Sequence, residues 1–206
     1  RHCYEGRTYE DFMRFIADNP DVPVVQMDSV IGNKSGKVLL TMFSQNTNLL
    51  LAFLRDHNTA RSVLDVFNDL YAMFGRETYC RLFPVILTDR GSEFSNPVPI
   101  EQDENDELRS LVFYCNPSVP YQKGGIEVAH ELVRRVLPKG KSFDDLQQED
   151  IDLMLSHINS YKRGKLNSRS AYQLFNFIYG DDILPKLNIR EIEANDIVLS
   201  PKLLKK

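Results

Sequence analysis

Three carboxylic acids stand out in this sequence because of the segments in which they lie. Asp28 lies inside the apolar run of residues 24–31, where an unpaired charge costs on the order of several kcal/mol. Asp89 ends the apolar run of residues 84–89, and polar residues at the carboxyl ends of strands commonly bind ligands. Glu127 opens a helical segment just after a flexible Lys-Gly-Gly sequence at residues 123–125. If the two strands are neighbours, the two aspartates face each other and the helix can add the glutamate.

Three such carboxylates, if no base neutralises them, favour a hard divalent cation such as Mg²⁺ or Mn²⁺. Two ions about 4 Å apart can activate a water or hydroxyl and stabilise the leaving oxygen in phosphodiester chemistry. Each acid also has an ordinary interpretation when it is taken alone. Asp28 could be a salt-bridged strand residue, Asp89 a turn or cap residue, and Glu127 a first-turn acid favoured by the helix dipole. The three together favour the metal site.

The elements that must position these acids follow from the hydrophobic periodicity and the turn residues. A short helix is expected at residues 8–17, and a second one that is capped by Thr59 and ends at Gly75. Three more helices are expected at 127–137, 142–161 and 170–178, and Ser142 and Asp145 form a capping box for the one at 142–161. The expected strands span 24–31, 37–43, 48–54, 84–89 and 111–114. We expect an exposed acidic loop at 101–107 and an irregular tail from Asn188. This order predicts an α/β fold, a mixed sheet flanked by helices.

Composition and charge exclude several classes of protein. The chain has 206 residues, of which 42% are hydrophobic and 26% charged, and these are values of a globular domain rather than of a disordered or coiled-coil chain. Three cysteines without a CxxC spacing argue against a disulfide framework or a zinc site. The net charge of −4 argues against tight nonspecific nucleic-acid binding, although basic stretches at 117–142 and 161–170 leave a local groove open.

Four strings of residues resemble the catalytic core of DDE transposases, in particular the insertion-sequence-thirty family of bacterial mobile elements. They are V-Q-M-D-S-V-I-G ending at Gly32, L-T-D-R-G-S-E-F ending at Phe94, Y-Q-K-G-G-I-E ending at Glu127 and L-P-K-G ending at Gly140. The resemblance covers the chain from about Glu10 to its end. Two features depart from the family pattern: Val128 stands where asparagine is usual, and the chain has no tryptophan.

The resemblance implies a ribonuclease H-like, retroviral integrase-like fold. It implies that Asp28, Asp89 and Glu127 are the catalytic residues and hold two Mg²⁺ or Mn²⁺ ions. The activity would be that of a DDE-type transposase, which cleaves DNA at the ends of the element and transfers the strand into target DNA during transposition, recombination and integration. Lys123 and Arg134 would contact the DNA backbone.

The resemblance also predicts a domain organisation and partners. Residues 1–20 would be a helical lead-in at the end of an N-terminal DNA-binding region, 21–180 the catalytic core and 181–206 a C-terminal tail. We expect transposon ends and target DNA as partners, a homo-oligomer in the DNA complex, no membrane association, and a location in the bacterial cytoplasm at the nucleoid.

Two other functions stay open at this point. One is a catalytically inactive or domesticated nucleic-acid-binding relic, which Val128 favours and the intact triad disfavours. The other is a ribonuclease H-type nuclease, which the L-P-K-G string disfavours. Two further side chains have ordinary and functional interpretations. His130 could orient a carboxylate or touch DNA, although a surface or supporting position is favoured, and Arg90 could pair with Glu93 or a phosphate.

Overall fold

A five-stranded mixed sheet forms the centre of the molecule. The computed structural model describes residues 2–204, apart from the side chains of His2 and Lys165. The strands are β1 (Val24–Ile31), β2 (Val38–Ser44), β3 (Leu50–Arg55), β4 (Val85–Thr88) and β5 (Leu111–Tyr114). Their order across the sheet is β3-β2-β1-β4-β5. β1, β2 and β3 form an antiparallel meander, whereas β4 is parallel to both β1 and β5, as the sequence predicts.

Seven α-helices within residues 2–204 surround the sheet. They are α1 (Tyr9–Asp18), α2 (Ala60–Leu82), α3 (Val98–Glu101), α4 (Gly124–Val136), α5 (Gln148–Ser160), α6 (Ala171–Tyr179) and α7 (Ile183–Lys186). Thr8, Thr59 and Ser170 cap α1, α2 and α6, each accepting a hydrogen bond from the third residue of its helix. None of the helices between residues 2 and 204 is both long and apolar enough to cross a membrane.

Two apolar clusters hold these layers together. The larger one joins the sheet to α2, α4, α5 and α6 through fully buried residues such as Met27, Phe67 and Ile151. The smaller one lies under α1, where Phe12 packs on Phe113 of β5. Because these clusters cover the central strands, β4 is buried along its whole length. This burial explains why its sequence is a continuous apolar run.

The prediction that α2 ends at Gly75 is only half right. Gly75 does leave the helical conformation, with a φ of 74°, in the region that glycine adopts without strain. The helix then resumes and continues to Leu82, because Tyr79 and Leu82 return the chain to the core. Burial of these side chains outweighs the local stop signal.

The predicted start of α5 at Ser142 is wrong. The Ser142 hydroxyl donates to Asp144, and the Asp144 carboxylate also accepts a hydrogen bond from the backbone N–H of Lys37, 2.8 Å away. These contacts fasten a turn to the start of β2. The helix begins only at Gln148, where Asp150 accepts from the backbone N–H of Gln147.

The acidic loop is less exposed than the sequence predicts. Glu101 is buried, with its carboxylate 2.9 Å from Nε of Arg7 and 3.1 Å from the backbone N–H of Val112. Asp103 accepts hydrogen bonds from Tyr71 and Arg76 of α2, while the side chains of residues 104–107 are exposed. An ion pair with the N-terminal segment therefore places Glu101 at the edge of the sheet.

The tail from Asn188 packs against α5. Ile189 and Ile192 are buried, and hydroxyls of Ser156 and Ser160 accept hydrogen bonds from tail backbone N–H groups. His157 accepts another through Nδ1, 3.0 Å from the backbone nitrogen of Val198. The division into lead-in, core and tail at residues 20 and 180 stays a prediction.

We expect the folded protein to lose stability in mild acid through His157. Burial, with Arg190 nearby, lowers the pKa of His157 below its ordinary value, and Asp196 opposes the shift. The unfolded chain therefore binds the proton more readily. The stabilising contribution of neutral His157 is complete above a pH of about 6.5 and declines as the pH falls toward the lowered pKa.

The measurement is urea unfolding between pH 7.5 and pH 5. His157→Gln should show a shallower decline than the wild-type protein, and His57→Gln, in an exposed loop, serves as the control. Equal pH dependence in the wild type and His157→Gln would contradict this prediction.

Candidate active site

Asp28 and Asp89 meet at one edge of the sheet, as the sequence predicts. β1 and β4 are parallel neighbours, with Gln26 paired to Leu87, so the segments that follow this pair run side by side. Asp28 continues in β1, because β2 accompanies the strand as far as Ile31. Asp89 follows directly after β4. The two carboxylates therefore lie where the parallel pair separates, the usual position of a binding crevice in such sheets.

A lysine ammonium lies between the two aspartates. Nζ of Lys123 is 3.1 Å from Oδ2 of Asp28 and 3.2 Å from Oδ2 of Asp89, and it donates to the carbonyl of Met27 at 3.2 Å. Only 5% of Lys123 is exposed. Burial acts to lower the pKa of Lys123, but the two aspartates outweigh it and the net shift is upward. The expectation that no base neutralises the acids is therefore wrong, and the ammonium faces the aspartates rather than solvent.

The other carboxylate oxygen of each aspartate, Oδ1, accepts a hydrogen bond from a backbone N–H group. Oδ1 of Asp28 accepts a hydrogen bond from the N–H of Ser29 at 2.7 Å, and Oδ1 of Asp89 accepts from the N–H of Gly91 at 2.8 Å. A Cβ atom at Gly91 would lie 2.6 Å from Oε2 of Glu93 and 3.0 Å from Oδ1 of Asp89. Glycine at this position therefore allows the chain to turn closely around the carboxylate.

Glu127 lies in the same cleft but does not join the pair. It is exposed on the first turn of α4 and lines the cleft together with Asp28, Asp89 and the loop of residues 115–120. Across the part of the chain that the structure describes, no three His, Cys, Asp or Glu side chains are grouped closely enough to hold a metal ion. The structure thus brings two of the three predicted acids together and places the third on the wall of the cleft.

Close packing fixes the start of α4 on the sheet. The N–H of Ile126 donates to Oε1 of Gln26, 2.8 Å away, and Gln26 shares a face of β1 with Asp28. A Cβ atom at Gly125 would lie 2.4 Å from the buried ring of Phe43, whereas one at Gly124 would meet nothing within 4 Å. These contacts set the distance between the helix that carries Glu127 and the strand that carries Asp28.

His130 and Arg134 extend the polar side of α4 along β1. Nε2 of His130 is 2.7 Å from the hydroxyl of Thr41, which donates to the backbone carbonyl of Asp28. Burial lowers the pKa of His130, with Asp28 opposing the shift. Arg134 is half-buried and donates to the carbonyl of Ile31 at 3.0 Å. His130 thus supports the strand behind Asp28, and part of the guanidinium of Arg134 is engaged by the end of that strand.

A buried arginine near the site was not predicted. Arg55, at the end of β3, is 4% exposed and donates to the hydroxyl of Ser29 at 3.1 Å, and this hydroxyl donates to Glu93 at 2.8 Å. Burial lowers the pKa of Arg55 to about 10, with Glu93 opposing the shift. The signal in the sequence is a charged residue ending an apolar strand. Arg90 does not contact Glu93 in this arrangement but lies exposed over the ring of Tyr4, 4.8 Å from its centroid.

Several proteins of known type are similar to this chain. It is 28% identical over 151 residues to a putative integrase of Spiroplasma virus SpV1-R8A2 B, an alignment that covers 73% of the chain and 45% of the viral protein. It is 23% identical over 151 residues to the transposase of insertion sequence IS4351 of Bacteroides fragilis, covering 73% of the chain and 44% of the transposase. It is 22% identical to the InsI transposase of IS30A of Escherichia coli K12, and this alignment covers 71% of the chain and 36% of the transposase.

The resemblance to insertion-sequence transposases is confirmed by these relatives. The chain spans less than half the length of each of them. No family model matches the chain.

The predicted fold class is also confirmed. The chain matches a chain of the simian T-cell lymphotropic virus intasome, solved in complex with the PP2A regulatory subunit B56 gamma, with a TM-score of 0.54 and 16% identity. The match covers 83% of this chain and 58% of the other. The match supports a ribonuclease H-like, integrase-like architecture for this chain, whose mixed five-stranded sheet is flanked by helices.

We expect Gly125→Ala to destabilise the protein and Gly124→Ala to leave it as stable or slightly more stable. Alanine favours a helix by about 1 kcal/mol over glycine, but at position 125 the methyl group overlaps the ring of Phe43. Overpacking of this kind costs roughly 1–3 kcal/mol. Thermal unfolding of the two variants measures the difference. Equal stability of both would contradict the close docking of α4 on β2.

Proposed function

We propose that this chain is the catalytic core of a metal-dependent DNA transposase or integrase. It would cleave DNA at the ends of a mobile element and join the cut strand to target DNA. The observation that carries the proposal is the pair of aspartates, Asp28 and Asp89, at the carboxyl edge of two parallel strands. The similarity to transposases and an integrase over about three quarters of the chain supports it.

The chemistry of the donor set suits a hard cation. Two carboxylates already converge on one positive centre, the ammonium of Lys123, and carboxylate oxygens are the ligands that Mg²⁺ and Mn²⁺ prefer. We assign Asp28, Asp89 and Glu127 as the residues that would hold two such ions, with Glu127 contributing from the wall of the cleft. When bound, the ions would supply activation of a water or hydroxyl and stabilisation of the leaving oxygen.

The protein's own groups would orient the reaction. Backbone N–H groups of Ser29 and Gly91 hold one oxygen of each aspartate, which leaves the other oxygen directed toward the cation position. The cleft beside them lies between Arg90 and the loop of residues 115–120, and a DNA strand would enter there. A nucleophilic hydroxyl would have to reach the scissile phosphate there, in line with the departing oxygen.

We assign Lys123 and Arg134 to contacts with the DNA backbone. Such contacts supply affinity that depends on salt, without reading the base sequence. Nη1 of Arg134 is buried and has no hydrogen-bond partner in the described part of the chain, so the side chain would have to turn outward to offer this donor to a phosphate oxygen. Transposon ends and target DNA would be the partners, and a homo-oligomer would hold them.

A non-catalytic relic of the same fold is the second candidate. It is favoured by the ammonium between the aspartates and by the position of Glu127 outside a three-ligand group. Such a protein would keep the cleft as a DNA-binding surface without cleaving. The two candidates differ in whether a divalent ion produces strand cleavage.

The decisive substitutions remove one acid at a time. We expect Asp28→Asn, Asp89→Asn and Glu127→Gln each to lower Mn²⁺-dependent nicking of supercoiled plasmid by roughly two orders of magnitude or more, because the acids act as one set. Glu131→Gln, an exposed acid one turn further along α4, should retain full nicking. Full activity of Glu127→Gln would move the third carboxylate to Glu93 or Glu131. A wild-type chain that binds DNA without nicking it would favour the relic.

Arg134 can be tested independently of catalysis. We expect Arg134→Ala to weaken binding to unrelated DNA duplexes about equally and to lower the slope of log affinity against log salt by ~1. Fluorescence anisotropy at several salt concentrations measures both quantities, with Arg61→Ala, an exposed arginine of α2, as the control. A changed base preference with an unchanged salt slope would disprove the backbone contact.

A further inference from the structure

We propose that Lys123 is an internal counter-ion of the Asp28–Asp89 pair, which a divalent cation displaces, and that the released ammonium then binds a DNA phosphate. This inference rests on the proposed function and deepens it. It assigns one lysine two alternative positions, one between the aspartates and one in the cleft.

The hydrogen bonds of Lys123 are complete in the first position. An ammonium has three donors, and here they meet Oδ2 of Asp28, Oδ2 of Asp89 and the carbonyl of Met27, all within 3.2 Å. The ammonium is directed at the point toward which both carboxylates are turned, and only 5% of the residue is exposed. In this position it is poorly placed to meet DNA.

A divalent ion and this ammonium cannot occupy the pair together. Mg²⁺ binds carboxylate oxygens at about 2.0–2.1 Å, so the aspartate oxygens, now 3.1 and 3.2 Å from Nζ, would close around the ion in the space that Nζ fills. Two cations at such a separation in a partly buried site repel strongly. Binding of the ion therefore requires departure of the ammonium.

The local chain allows the lysine to move while the helix stays. Lys123 immediately precedes α4 and makes no side-chain cap with it. The start of α4 is held separately, by the packing of Gly125 on Phe43 and by the bond from Ile126 to Gln26. A long, flexible side chain can thus rotate into the cleft that it already lines, beside Arg90.

This exchange would couple the two ligands of the site. A phosphate in the cleft attracts the ammonium away from the aspartates and so favours the ion, and the ion favours the phosphate by releasing the ammonium. The coupling is reciprocal by thermodynamic necessity. Without DNA, the same lysine would keep the affinity for metal low.

The test measures Mn²⁺ binding in the absence of DNA by isothermal titration calorimetry. We expect Lys123→Gln to lower the Kd for Mn²⁺ about tenfold relative to the wild type, because the competing cation is gone. Its melting temperature without metal should fall, and the increase on adding Mn²⁺ should exceed that of the wild type. Lys139→Gln, an exposed lysine after α4, should behave as the wild type, and Asp28→Asn should lose binding.

A second measurement uses the wild-type protein and does not depend on the folding of a variant. Lys123 should react slowly with an amine-acylating reagent in chelator and about tenfold faster with saturating Mn²⁺, while Lys139 reacts equally in both, as read by peptide mass spectrometry. Unchanged protection of Lys123 at saturating Mn²⁺ would overturn the inference.

The outcomes separate this inference from the proposed function. Equal Mn²⁺ affinity of the wild type and Lys123→Gln, with loss in Asp28→Asn, would overturn the counter-ion role and keep the metal site. Absence of saturable Mn²⁺ binding in both proteins would overturn the metal site and the inference together.

Discussion

Two carboxylates that face each other at the end of a parallel strand pair need a positive charge between them. In this protein the requirement follows from the strand order, since β1 and β4 are neighbours and Asp28 and Asp89 lie where they separate. Two carboxylates that each lie within 3.2 Å of one point would repel each other without a counter-ion. Lys123 supplies that charge, and its attachment to α4 links the electrostatics of the strand ends to the packing of a helix.

The polar side of α4 lies along β1 over most of the length of the helix. Lys123 contacts the carbonyl of Met27 and the side chain of Asp28, and Arg134 reaches the carbonyl of Ile31. Between them, His130 meets Thr41, whose residue is paired with Asp28 in the β1–β2 register. The helix therefore cannot move along the strand without breaking contacts at both of its ends. The position of Glu127 in the cleft is a consequence of this alignment, together with the close approach at Gly125.

Much of the fold could be predicted because its signals are local. The strands at 24–31 and 111–114 lie where their apolar runs predict them, and Thr59 and Ser170 cap helices as their residue types suggest. The errors arise where distant contacts outweigh local ones: the core contacts of Tyr79 continue α2 beyond Gly75. In the same way, the bond from Lys37 to Asp144 fixes a turn where a helix start was predicted.

In the candidate site, as in the fold, local signals allow a prediction and distant contacts do not. The meeting of Asp28 and Asp89 follows from an apolar run that implies parallel neighbours, and so it was predictable. The role of Lys123 was not, because its partners lie 95 and 34 positions away in sequence and only the folded sheet brings them within reach of a long side chain. The available signal was its position four residues before Glu127, which places a base beside the predicted acids.

The geometry of the candidate site also bears on Val128, which stands where the family that this chain resembles usually has asparagine. Val128 is 52% exposed, and the polar contacts of the aspartate pair described above come from Lys123, Ser29 and Gly91. Tyr121, shortly before α4, is 81% exposed. Both are exposed apolar side chains close to Glu127 in sequence, and an exposed aromatic ring such as that of Tyr121 can stack on a base. Val128 is absent from the lining of the cleft, and its departure leaves the three acids that would hold a metal ion, Asp28, Asp89 and Glu127, in place.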